Sequence, residues 1–230
     1  MELSYPPFEM VCNDGDPCGI SVDIAFAFGK FIERQIQIQN IPFVGLIPSL
    51  KNDSVDLIIS SLTVTEERKR AIDFSDPYAT IGLCLLININ SKVNNIQEAN
   101  QKGKIIVVKS GTSGEIYAKK YLTTAIVRVL DKEAMCILEI IQGKADGFIY
   151  DQLSVYINWK KNPTTTRVNL NPFQKENWAF GVRKNNNELI AKLNNFIKKF
   201  REEGGFDKLA DRYLPEQKQA FNAMGVPFVF

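Results

Sequence analysis

Short apolar runs without internal alternation recur along the chain, and stretches of helical spacing separate them. No other feature constrains the fold as much. Val55, Leu57, Ile58 and Ile59 make one run, Ile81 to Ile89 a longer one, and Ile105 to Val108 and Gly147 to Tyr150 two more. Strands apolar on both faces belong in sheets covered on both sides. Between the runs, Ile24, Phe28, Phe31 and Ile32 recur at helical spacing behind Ser21, which reads as an N-cap. Gly45 to Lys51 predicts a short helix, Glu115 to Leu122 another, and Ser91 to Gln101 a polar loop with a short helix. Glu133 to Gln142 places Met135, Leu138 and Ile141 on one face, after Asp131 as a cap and before Gly143 as a stop. Leu189, Leu193, Phe196, Ile197 and Phe200 form an amphipathic stripe that ends at Gly204-Gly205. Strand alternating with helix argues for an α/β protein with mostly parallel pairing.

The first run changes character where it ends. Ser60-Ser61-Leu62-Thr63 brings small hydroxyls, and five residues beyond Thr63 stands Arg68. Strand ends in open α/β sheets are where small ligands bind. Arginine can grip a carboxylate with two parallel hydrogen bonds. A surface arginine in the charged turn Glu66-Glu67-Arg68-Lys69-Arg70 accounts for the same residues equally well. Lys109-Ser110-Gly111-Thr112-Ser113-Gly114 leads into a helix, whose first N–H groups favour anions. An ordinary strand-to-helix loop would look the same, and the spacing is not that of a phosphate loop. Asp151, just beyond the Gly147–Tyr150 run, suits either a ligand ammonium or the cap of a following helix.

Bulk properties exclude several classes. With 28 basic and 26 acidic residues the net charge is +2, which gives no reason to invoke nucleic acid or an anionic membrane. No apolar stretch approaches the roughly 20 residues that span a bilayer. Met1-Glu2-Leu3 lacks the basic start and apolar core of a signal peptide. Histidine is absent and the four cysteines are scattered, so no metal pattern exists and no cofactor is implied. Cys12 and Cys18 flank the turn sequence Asn13-Asp14-Gly15-Asp16-Pro17. Such a hairpin brings the pair within disulfide range, although two free thiols fit the sequence as well.

Seven motifs in register carry a resemblance over nearly the whole chain. They are Tyr5-Pro6-Pro7-Phe8-Glu9, Gly19 to Ala25, Phe43 to Leu50, Ser60 to Tyr78, Ser110-Gly111-Thr112 with Gly143-Lys144-Ala145-Asp146, and Gly204 to Leu209. Together they resemble the family 3 extracellular solute-binding proteins of bacteria, the polar amino-acid receptors of ABC importers. The resemblance implies a two-lobed periplasmic binding protein type II fold, each lobe a mostly parallel sheet flanked by helices, with two hinge strands. Lobe 1 would comprise residues 1–80 and 178–230, and lobe 2 residues 81–177. It implies a monomer on the periplasmic or outer face of the membrane that closes on a free amino acid and passes it to an ABC permease, without catalysis.

The resemblance also distributes roles. Arg68 would take the ligand's α-carboxylate, helped by N–H groups near Thr63 and at Thr112-Ser113. Asp151 would take the α-ammonium, with the Thr63 hydroxyl and the carbonyl near Ser61. Glu2, Tyr5, Phe43, Ser60, Lys109 and Tyr150 would select the side chain, with Tyr5 and Phe43 sandwiching it. Glu2 suits an amide or a cation, whereas Lys109 discourages a cation. This ranks glutamine first, arginine or lysine second and glutamate third. A sensory ligand-binding domain of a membrane receptor and a dehydratase-like enzyme are the alternatives on the same scaffold. The family opens with a strand ahead of the Tyr-Pro-Pro-Phe loop, and only Met1 to Ser4 precede it here. The apolar tail Val226 to Phe230 is therefore a candidate to supply that strand, as in a circular permutation, or else a packing tail.

Overall fold

The computed structural model describes all 230 residues, Met1–Phe230. In chain order the elements are β1 Met10–Val11, β2 Pro17–Cys18, α1 Ile20–Phe31, α2 Leu46–Lys51, β3 Leu57–Ile58, α3 Glu66–Ala71, β4 Asp73–Phe74 and β5 Ala79–Asn88. There follow α4 Ile96–Ala99, β6 Ile105–Lys109, α5 Ser113–Tyr121, β7 Ile126–Leu130, α6 Glu133–Ile141, β8 Gly147–Asp151 and α7 Gln152–Lys161. The chain closes with β9 Thr166–Trp178, β10 Gly181–Val182, α8 Asn187–Glu202, α9 Gly205–Tyr213 and α10 Pro215–Ala223. These elements divide into two compact units: Met1–Thr80 with Asn177–Phe230, and Ile81–Glu176.

The second unit is built on a five-stranded sheet in the order β7-β6-β8-β5-β9. β6 runs parallel to β7 and β8, and β5 runs antiparallel to β8, so the sheet is mixed. Its burial explains the unbroken apolar run read in the sequence. Leu83, Leu85 and Ile87 enter one core, whereas Cys84 and Leu86 enter another with Val107 and Phe148. Successive residues of a strand point to opposite faces, so a strand between two cores has no position to spare for polar residues.

The first unit carries a smaller sheet, β3-β10-β4, in which β10 is antiparallel to both neighbours. Its strands are two residues each, shorter than the Val55–Ser60 run predicts. Leu46, Leu50, Ile58, Leu62 and Ile72 pack into one core. β1 and β2 form a hairpin closed by a Cys12–Cys18 disulfide, so the bridged reading holds. Gly19, not Ser21, stands at the N-cap position of α1. Gly19 has φ 119°, and a Cβ there would lie 2.5 Å from the Phe8 carbonyl oxygen, so only glycine fits this close turn.

Two expectations about helices and the tail need correction. On α6 the buried residues are Cys136 and Ile140, while Met135 and Leu138 are each 49 % exposed. Lys132, not Asp131, stands at its N-cap position. The tail beyond α10 forms no strand. The Val226 N–H donates to the Phe221 carbonyl at 2.9 Å and the Thr80 N–H to the Val229 carbonyl at 3.0 Å, and Val229 is buried while Phe230 stacks on Phe206. Side-chain burial and these backbone bonds hold the segment.

Candidate functional site

In the first unit, Thr65 caps α3 by accepting from the Arg68 N–H at 3.1 Å, which turns the Arg68 side chain inward from the helix's first turn. Arg68 is only 5 % exposed, so the surface-turn reading fails. Its Nη1 donates to the Thr63 carbonyl at 2.6 Å, and its guanidinium lies 5.5 Å from the centroid of the Phe43 ring. A carbonyl and an aromatic face each favour a cation. Both help to hold the guanidinium in place.

The remaining residues expected here are held close to Arg68 by the chain's first residues. The Glu2 N–H donates to Ser60 Oγ at 3.0 Å, and Glu2 Oε1 accepts from the Phe43 N–H at 3.3 Å. Glu2, Phe43 and Ser60 are thus bonded together, and the terminal segment is fastened again by the Leu3 N–H donating to Asn40 Oδ1 and by the Met1 ammonium donating to the Gln39 carbonyl. Tyr5 lies deeper. Its ring stacks on Phe8 at 5.3 Å and meets the Trp178 edge at 6.2 Å.

Below these residues lies a cluster that the sequence did not announce. Glu9 is 1 % exposed, and its Oε1 accepts from Ser21 Oγ at 2.5 Å and from Ser61 Oγ at 2.9 Å. Ser61 sits in the left-handed region at φ 47°, a conformation costly for a residue with a Cβ. The bond to Glu9 holds it there and so fixes where its carbonyl points. Burial, and then the Glu9 charge, push the neighbouring Tyr78 hydroxyl well above the usual phenol range. The only advance sign of this cluster was an acid inside an otherwise apolar loop motif.

In the second unit, Lys109 at the end of β6 is 1 % exposed. Thr112 Oγ1 donates to the Lys109 carbonyl at 2.7 Å and caps α5 by accepting from the Glu115 N–H. Glu115 reaches back to accept from the Gly111 N–H at 2.6 Å. This is a capping arrangement, and it engages one of the N–H groups that the Gly-rich turn had offered to an anion. Ser113 Oγ donates to Glu176 Oε2 at 2.7 Å. Tyr150 stacks on Phe148 at 5.0 Å.

Asp151 ends β8 and caps α7 through Oδ1, which accepts from the Ser154 N–H at 3.0 Å. The capping role is therefore real and occupies that oxygen. Asp151 is buried, at 7 % exposure. Close by, Ser154 Oγ donates to Glu133 Oε1 and Asn158 Nδ2 donates to the same oxygen at 3.3 Å. Burial first, and then the Asp151 charge, push the Glu133 carboxyl up to about 7, against the opposing effects of Ser154 and Lys109. The sequence reading passed over Glu133 because it opens an ordinary amphipathic helix.

Residues 1–216 match the bacterial extracellular solute-binding proteins, family 3. An L-arginine-binding protein of Pseudomonas aeruginosa is 29% identical over 226 residues, covering 93% of this chain and 86% of its own. Among solved structures, an ancestral arginine-binding protein bound to arginine is similar with TM-score 0.85 and 28% identity, over 93% of this chain and 95% of its own. The glutamine-bound form has TM-score 0.84. An ancestral amino acid-binding protein, described as a precursor of cyclohexadienyl dehydratase, has TM-score 0.84 and 29% identity over 92% of each chain.

Proposed function

The chain belongs to the bacterial extracellular solute-binding proteins, family 3, and from that premise we propose that it binds a free polar L-amino acid for delivery to an ABC permease. Arg68 takes the α-carboxylate and Asp151 the α-ammonium. The observation that carries this reading is the burial of Arg68. A guanidinium at 5 % exposure, positioned by the Thr63 carbonyl and the Phe43 ring, is prepared for a planar anion. Thr63, Thr112 and Ser113 complete the polar partners. Glu2, Tyr5, Phe43, Ser60, Ser61, Lys109 and Tyr150 surround the ligand's side chain.

Glutamine is the first choice of ligand and arginine or lysine the second. The ancestral relative was solved with both arginine and glutamine, which supports this range. Catalysis has no part in the proposal: the family is one of solute-binding proteins and the Pseudomonas relative is an L-arginine-binding protein. The protein acts outside the cytoplasmic membrane as a monomer, and no helix is long and apolar enough to cross a membrane. Thermal-shift screening against the twenty amino acids tests the reading, because a ligand of the folded form raises the melting temperature. Stabilisation by glutamine or arginine is expected, and no response to any amino acid would overturn it.

A further inference from the structure

In the first unit, residues 34–42 belong to no helix or strand, yet Ile36 and Ile38 are half-buried in alternation with exposed Gln35, Gln37 and Gln39. That period of two is the side-chain pattern of a strand with one face covered. A Cβ at Gly29 of α1 would lie 2.5 Å from Ile36 Cγ1, and one at Gly45 would lie 3.1 Å from Ile41 Cγ2, so both isoleucines pack inward. The pairing of a strand is missing: residues 35–38 make no hydrogen bond within the chain. β3 has a matching edge, since the order β3-β10-β4 leaves one of its sides without a strand. Between the two, a groove of about 320 Å³ is lined by Gln35 to Gln39 and by Ser54 to Ile59, with Ala25, Leu46 and Met1. Met1 shows how a backbone fits there. Its ammonium donates to the Gln39 carbonyl at 3.0 Å, and its carbonyl accepts from the Ile41 N–H at 2.9 Å. Bonds from one residue to both neighbours of a residue opposite, here Asn40, are the parallel pattern. By alternation, the N–H and C=O groups of Gln35 and Gln37 point to the same side as those of Gln39 and Ile41.

From this placement we infer that the groove is a strand-accepting site. It takes from a separate polypeptide an extended, uncharged segment with apolar residues at alternate positions, running parallel to residues 35–41. The backbone of that segment pairs with Gln35 and Gln37 on one side and with the β3 edge on the other, which joins the isoleucine segment to the sheet β3-β10-β4. Its apolar side chains bury against Ala25 and Leu46. A polypeptide fits better than a small apolar molecule, because one wall offers N–H and C=O groups in strand register that another backbone satisfies in series. Gln35 to Gln39 carry no formal charge, and Asp56 on the opposite wall is paired with Arg183, so a charged segment would gain no partner. The chain's own tail is engaged elsewhere, Val229 with Thr80 and Phe230 with Phe206. None of the groove residues belongs to the proposed ligand set, so the inference does not rest on the amino-acid-binding reading.

Amide hydrogen exchange of the full chain, with and without a synthetic peptide of about six residues alternating valine and threonine, tests this. The peptide is expected to slow exchange at Gln35, Gln37 and Gln39 by roughly tenfold or more and to raise the melting temperature. The same peptide with a central proline, which lacks a ladder N–H, is expected to do neither. Gln37→Pro removes one N–H that faces the groove, at an exposed side chain that bonds to nothing else. It is expected to weaken peptide binding by roughly tenfold while leaving amino-acid affinity as in the parent. Exchange at residues 35–39 that the peptide leaves unchanged, or that the proline peptide slows equally, overturns the inference. Slow exchange there in the chain alone, together with a dimer by light scattering, would assign the groove to a second copy and overturn it as well. Circular dichroism establishes that Gln37→Pro is folded, and the two peptides read the groove in the parent whatever that variant does.

Discussion

The two units solve the same electrostatic problem in opposite ways. In the first, the buried acid and the buried base each meet neutral dipoles. Glu9 is answered by the hydroxyls of Ser21 and Ser61, and Arg68 by a carbonyl and a ring. In the second, acids and a base share one neighbourhood, where Glu133 feels both Asp151 and Lys109. Neutral dipoles hold a charge without titrating, so the first unit should present a constant cation across the physiological range. A network of ionisable groups shifts its members' proton affinities and responds to pH. In the proposed function the first unit anchors and the second chooses.

The largest expected effect lies on the anchoring side. Arg68→Ala should cost about 3 kcal/mol or more in amino-acid affinity, because a carboxylate would be buried without its partner. Isothermal calorimetry measures this, and an equal loss across all ligands would separate anchoring from choice.

Glu9→Ala should lower the stability of the first unit by about 3 kcal/mol, because it removes the acceptor of the buried Ser21 hydroxyl and of the half-buried Ser61 hydroxyl and opens a cavity. Chemical denaturation reads it, and a change below about 0.5 kcal/mol would break the claim that Glu9 holds Ser61 in its left-handed conformation.

On the choosing side, the Glu133 carboxyl has a folded-state pKa near 7, above the ordinary value of 4.5. Its folded form therefore binds the proton more tightly than its unfolded form. The stability this confers is complete at low pH and is lost as pH rises from about 4.5 through 7. Glu133→Gln should be more stable than the parent by on the order of 2 kcal/mol at about pH 8, with the difference shrinking towards acid pH. Melting temperatures across that range would show it; a constant difference would mean that Glu133 does not titrate in this window.

The smallest effect concerns the hairpin of the first unit. Replacing Cys12 and Cys18 together by serine should cost about 2 kcal/mol, as expected for cross-linking so short a loop. Binding should persist, since the bridge lies outside the ligand set.

How much of this was legible in sequence depended on range. β5 was readable because burial on both faces leaves an unbroken apolar run. The α6 face was misassigned because Met135 and Leu138 are as apolar as Cys136 and Ile140, and hydropathy does not say which stripe meets the sheet. β7 went unread, with Arg128 inside it and Ile126 and Val129 exposed at the sheet edge, and so did most of β9, whose residues are mixed in polarity. Arg68 could be singled out from its spacing to Thr63, since the pair is five residues apart and locally bonded. Glu9 and Glu133 could not, because their partners Ser61 and Ser154 lie 52 and 21 residues away. Asp151 carried two sequence readings, and its geometry accommodates both.

The central claim is that a buried guanidinium anchors the carboxylate of a free amino acid. Calorimetry of the intact chain and of Arg68→Ala with glutamine and arginine tests it most directly. One ligand per chain should bind the parent, and heat should vanish or affinity fall by two orders of magnitude or more, a drop of roughly 3 kcal/mol, in the variant. Parent-like affinity in Arg68→Ala for either amino acid would contradict the account.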